Sequence, residues 1–357
     1  MISLQIGLAI AGGMVLAGVV AHSTWTARKN LPKRATPEVE QGQLVEPSLP
    51  TDLLDPHEAL SQRQEPRFDV DPSLDALKAL MMVDPKPGLD ALIDVIVLIV
   101  IESVVSGDAA LVAMPSTRRA GSKPFGVEGL SVDQGVWEFP ATGQRYSAFQ
   151  CGVQLANRLG ALNQIEYSEF VMKAQAFADA IGGEPEFPDM LEEVARAREL
   201  DQFASAHDAQ ISFTLRAINT AWSPGYVQQR ASRLGFVAAH MPGRMVLAAN
   251  QQGAHILELS FDTQAAMSED PEETALREVS LSLDVPQVLR SERPFVRLRE
   301  AALALAASME GVIIDDNANP INLNAMDVIS SELEMLYDTL DARDLSAGSV
   351  LARRLFS

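Results

Sequence analysis

Cysteine is nearly absent: one, Cys151, occurs in 357 residues, so no internal disulfide and no cysteine-rich metal site can be built from this chain. Cys151 reads instead as a small buried hydrophobe. Positive charge is scarce too. Lys and Arg number 28 against 48 Asp and Glu, a formal charge of −20, whereas a protein that grips phosphates needs a basic stripe to release counterions. Nucleic acid is therefore not an expected partner. The five histidines, His22, His57, His207, His240 and His255, lie far apart, with no i, i+4 pair to hold a metal. Phosphate-binding glycine loops and a nucleophile elbow are also missing. Asp315, Asp316, Asn317 and Asn319 lack calcium-loop spacing and read as a turn after a strand at Val312 to Ile314. These gaps leave no catalytic residue, metal, cofactor or small-molecule substrate to expect, and the chain reads as non-enzymatic.

One long apolar run is present. From Leu4 to Ala21 only Gln5 is strongly polar, a length suited to crossing a bilayer. A cleaved signal peptide is the rival reading, but no basic residue precedes the run. Arg28, Lys29, Lys33 and Arg34 follow it, which predicts a single-pass anchor with the C-terminal side in the cytoplasm. Between Pro37 and Asp75 stand ten acidic residues, two arginines and six prolines, the composition of an extended linker whose job is reach.

After Pro87 the sequence becomes globular, and the order of patterns up to Asp208 repeats from Ala209 to Arg343. Each copy opens with a strand, Asp94 to Ile101 and Ile211 to Ala217, rich in strand-favouring residues. Short helices follow at Ser106-Gly107 and at Ser223-Pro224. Further strands are expected at Tyr146 to Val153, Met245 to Ala249, Ile256 to Phe261 and Glu278 to Val285. In the last of these Val279, Leu281, Leu283 and Val285 alternate with polar residues, so one face is buried and the other solvated. Amphipathic helices carry Phe170, Ala174, Phe177 and Ile181 in the first copy and Phe295, Leu298, Ala302, Leu305 and Met309 in the second. A closing helix is expected at about 189–203, and another bearing Met326, Ile329, Leu333, Leu336 and Leu340. Trp137 and Trp222 read as core aromatics, Arg118, Arg119 and Lys123 as a solvated basic loop, and Arg353 to Ser357 as a frayed tail.

The predicted fold class is α+β: a split βαβ antiparallel sheet with helices on one face, in two tandem copies, preceded by one transmembrane helix and a disordered linker. The boundaries are residues 1–22 for the anchor, 23–87 for the basic juxtamembrane segment and linker, 88–208 and 209–343 for the two copies, and 344–357 for the tail.

Short motifs in the second copy, Gly243-Arg244-Met245-Val246-Leu247, Val285-Pro286 and Gly311-Val312-Ile313-Ile314-Asp315-Asp316, together with the anchor and spacer, resemble the ZipA family of bacterial cell-division proteins. The resemblance covers about 130 positions of the second copy. It implies a non-enzymatic tether at the cell inner membrane. Such a tether holds the C-terminal peptide of FtsZ in a shallow groove on the helix-free sheet face during division septum assembly. The sequence departs from the family where Ser212, Thr214, Ser280 and Ser282 stand in place of larger apolar groups, while Met245 and Leu247 match. In the first copy Ile96, Leu98 and Val100, with Ala148 beside them, form an apolar second face. Either FtsZ or the other copy must cover it. These ten residues are the expected partner-binding set; the alternative is a membrane-anchored scaffold of the same fold with a different client.

Overall fold

The opening strand of each half sits inside its sheet, between partners contributed by later parts of the chain, and that placement sets the architecture. The computed structural model describes residues 32–35, 88–250, 254–268, 270, 274–315 and 317–357. The expected anchor at 1–22, and all of the expected juxtamembrane segment and linker at 23–87 except residues 32–35, lie outside the described residues. Among the described residues no helix is long and apolar enough to cross a membrane.

The first half runs β1 (Asp94–Ser106), α1 (Gly107–Ala113), β2 (Arg119–Ala120), β3 (Lys123–Ser131), β4 (Trp137–Glu138), β5 (Arg145–Gln154), β6 (Ala156–Asn157), β7 (Gly160–Ala161), α2 (Gln164–Ile181), β8 (Gly183–Pro185) and α3 (Met190–His207). The second runs β9 (Gln210–Ala217), α4 (Pro224–Ser232), β10 (Phe236–Ala238), β11 (Arg244–Ala248), β12 (His255–Ser260), α5 (Thr263–Ala266), β13 (Glu278–Asp284), α6 (Pro294–Met309), β14 (Gly311–Ile314) and α7 (Leu323–Asp341), and α8 (Val350–Leu355) ends the chain. The strand orders are β2-β3-β5-β1-β8, with β4 on β3, and β10-β11-β12-β13-β9-β14. All pairs are antiparallel. The fold is thus α+β with antiparallel sheets and packed helices.

Local chemistry explains the element ends. Asn163 caps α2 through a capping box with Glu166, Ser223 caps α4 with Pro224 in its first turn, and Asp189 caps α3. The amphipathic helices α2 and α6 end alike, each in a left-handed residue, Gly182 and Glu310, that turns the chain into a short strand. The apolar stripe of α6 is buried as its spacing predicts, and α6 packs on β9, β12, β13 and β14 while α2 packs on β1, β2, β5 and β8. Cys151 is buried, and burial pushes its thiol up to about 12. Asp315 makes the predicted turn, accepting from the amides of Asn317 and Asn319.

Three expectations need correction. Lys123 is no loop residue: it opens β3, is fully buried, and its Nζ donates to Asn157 Oδ1 at 2.7 Å and to the Gly160 carbonyl at 2.6 Å. Burial holds its ammonium below the usual lysine range. Trp137 lies on the short strand β4 and is 38% exposed rather than in the core. Trp222 is buried as expected and donates through Nε1 to the Met309 carbonyl.

The chain end is not frayed. Leu355 and Phe356 are buried, and α8 packs between β6 and the short helical turn Val285–Gln287. Arg354 grips the carboxylate of Asp94 at 2.9 and 2.5 Å, Gln154 donates to the Arg354 carbonyl and Gln287 to the Phe356 carbonyl. Beside it Arg158 binds Asp208 and Asp284 at 2.6–2.8 Å. Residues 32–35, within the expected juxtamembrane segment, pack against the second half. Lys33 forms a parallel bridge with Trp222, donates to and accepts from the backbone at Ala221 and Ser223, and its ammonium lies 2.9 Å from Glu310.

Candidate functional site

In β1 the odd residues Val95, Val97 and Ile99 are buried under the helices. The even residues face the other way, and there Leu98 is 47% and Val100 is 61% exposed. Register extends this open face across the sheet. Val100 stands opposite Ala148 on β5 and Glu184 on β8, and Leu98 stands opposite Gln150, which pairs with Glu128. Leu130, two positions past Glu128 on β3, pairs with Trp137 and adds an apolar pair to the open face beyond the β3–β5 register shift between Gly129 and Ser131. Val104, further along β1, is also exposed.

One end of the face is already covered. Ile96 stands opposite Gly152, which stands opposite Gly126, and a Cβ at these glycines would lie 2.5 and 3.2 Å from the Leu89 side chain. Two glycines thus make the hollow that Leu89 fills, and the Leu89 amide donates to Glu128 Oε1 at 2.9 Å. Glu128 Oε2 accepts from Gln150. The rest of the face is open among the described residues, so the second sheet does not cover Leu98 and Val100. Covering by the other copy, one of the two expected alternatives, is overturned.

The second open face is polar at its centre and keeps an apolar pair, Val246 and the exposed Val237, at the β10–β11 edge. Ser212 and Ser282 stand opposite one another, as do Thr214 and Ser280, and the Ser212 and Ser280 hydroxyls bond at 2.7 Å. Its charges are matched: Arg216 lies 2.6 Å from Glu278 and Arg244 3.1 Å from Glu258. Met245 and Leu247 do not belong to it. They stand opposite Leu259 and Leu257, on the face whose residues Leu281 and Phe213 are buried beneath the helices, and Met245 is itself buried. The residue of β11 on the open face is Val246, opposite Glu258. The structure therefore brings Ile96, Leu98, Val100 and Ala148 together on one face, the four hydroxyl residues on another, and sends Met245 and Leu247 into the core.

Sequence reasoning missed Leu130, Trp137 and Glu184, all of which the register places on the first open face. A cleft of about 580 Å³ lies where the halves meet, lined by Arg158, His255, Glu258, Asp284 and Phe356 among others. Of its two arginines, Arg158 and Arg353, Arg158 is matched by Asp208 and Asp284. Among the described residues no group of three or more His, Cys, Asp or Glu could hold a metal ion.

No family model matches the chain, and no curated protein is significantly similar to it.

Proposed function

We propose that the chain is a non-enzymatic membrane tether. Its folded part is two tandem split βαβ modules in the cytoplasm, residues 1–22 span the inner membrane, and an open sheet face holds the C-terminal tail of FtsZ during septum formation. The observation that carries the reading is the exposure of Leu98 and Val100, 47% and 61%, on a strand with neighbours on both sides. Apolar groups placed there have no solvated role, and large exposed apolar patches mark interaction sites. The docking face in this reading belongs to the first module, although the motif resemblance lies in the second. Residues 32–35 add a second hold on the chain: with Lys33 against Trp222, the second module stays close to the membrane end of the chain, and reach is left to segments beyond it.

The test is fluorescence anisotropy of a labelled peptide copying the FtsZ tail of the same organism, titrated with the full chain in detergent micelles. Saturable binding lost in Leu98→Asp and kept in Ser280→Asp supports the reading. Absence of binding up to about millimolar, an association worth only about 4 kcal/mol, overturns it. A second reading, the same tether with a different protein client, is favoured by one observation: the centre of the second open face carries Ser212, Thr214, Ser280 and Ser282, and its exposed apolar pair, Val237 and Val246, lies at the β10–β11 edge, away from these four positions, where the resemblance places larger apolar anchors.

A further inference from the structure

We infer that the segment docking on the first open face carries basic residues beside its apolar anchors. This rests on reading that face as a docking surface. Glu184 is the cross-strand neighbour of Val100, and Glu102 follows Val100 by two positions on β1. Both are exposed, and neither carboxylate makes a hydrogen bond or ion pair among the described residues, unlike that of Glu128, which is held by Leu89 and Gln150. The nearby cation Arg145 on β5 is drawn to Asp133 at 3.5 Å. The other sheet shows the contrast, since its open-face carboxylates Glu278 and Glu258 each have an arginine.

Two unmatched carboxylates cost nothing while water covers them. An apolar segment laid over Leu98 and Val100 strips part of that water from Glu102 and Glu184, and a carboxylate so desolvated needs a cation. A segment with Lys or Arg at its flanks supplies it, and opposite charge also speeds encounter and selects register. The occupant is accordingly a peptide segment of another protein, apolar at its centre and basic at its flanks. A second copy of this chain fits poorly, because its like face would bring carboxylate against carboxylate.

The test uses two labelled dodecapeptides with the same leucine and phenylalanine anchors, one flanked by Lys and Arg, the other by Glu and Asp, titrated with the full chain in detergent micelles. The expected result is binding of the basic-flanked peptide about tenfold tighter or better, abolished by Leu98→Asp. In Glu102→Lys/Glu184→Lys the preference should vanish or reverse. In Glu300→Lys/Glu332→Lys, a charge-matched change on helices of the other half, it should persist.

Equal binding of both peptides, equal effects of the two double variants, or a concentration-dependent dimer abolished by Leu98→Asp would overturn the inference. Binding of neither peptide would overturn the docking surface itself. Binding of the basic-flanked peptide without binding of the FtsZ tail would uphold the inference and assign the face to a different client.

Discussion

Across the first sheet a row of the open face reads Glu184, Val100, Ala148, with the pair Leu130 and Trp137 past the register shift of β3; across the second a row reads Ile314, Thr214, Ser280, Ser260, Arg244, with Ile314 buried at the β14 edge. The strands beneath follow the same order around β1 and β9, so backbone topology does not set this difference. Side-chain selection does. The second face is what a single-sided antiparallel sheet needs when it meets water: hydroxyls bonded across strands and arginines matched to carboxylates. The first keeps its buried face equally apolar but places branched aliphatics on the wet side and leaves two carboxylates unmatched. The second sheet meets water with most of its open face polar, and in the proposed function the first is completed by a partner.

The largest expected effect comes from breaking the clamp that joins the halves. Arg354→Met leaves the fully buried Asp94 carboxylate without its cation, and should cost about 3 kcal/mol in urea unfolding at pH 7. Burial already holds Asp94 above the usual carboxylate range, and the bonds from Arg354 oppose that rise. Without them the folded-state pKa climbs further above the unfolded value, so the penalty is full above the folded pKa and fades as falling pH protonates the group. The deficit should therefore shrink between pH 7 and pH 4; a deficit that grows on acidification would contradict this. Next in size, Leu98→Asp should cost about 2 kcal/mol of peptide affinity, while its unfolding free energy stays within about 0.5 kcal/mol of wild type.

Smaller effects sharpen the contrast from the other side. Lys33→Ala removes a half-exposed ion pair with Glu310 and should lower stability by about 0.5 kcal/mol, measured by thermal unfolding, with peptide affinity unchanged. Ser212→Val with Ser280→Val makes the second face more apolar. It should move stability by no more than about 0.5 kcal/mol and create no binding of the FtsZ tail. Binding gained there would mean that hydrophobicity alone, without the flanking carboxylates, defines the site.

Much of this was legible in the sequence where the signal is periodic. The alternation in Glu278 to Val285 and the stripe in α6 locate a strand and its helix because burial imposes periods of two and 3.6. Strand β3 was not legible, because Pro124, Gly126 and Gly129 break its pattern. Those glycines are there for packing: a Cβ at Gly126 would press on Leu89, and one at Gly129 would lie 2.4 Å from the Tyr146 ring. The face of Met245 and Leu247 is not legible because an offset of one residue inverts every side chain, and β11 pairs so that Val246, not its neighbours, faces out. Helix α8 is not legible because six residues are too few for a helical stripe to show, and its two arginines, Arg353 and Arg354, look solvated. The ion pair that proves otherwise joins positions 94 and 354, a separation no local pattern reports.

The most direct test of the central claim is photo-cross-linking. A benzophenone side chain is introduced at Val100 or at Ser280 of the full chain in detergent micelles, which is then irradiated with the FtsZ tail peptide. The account predicts a peptide adduct from position 100, competed away by unlabelled peptide, and none from position 280. An adduct from position 280 alone, or from neither, would contradict it.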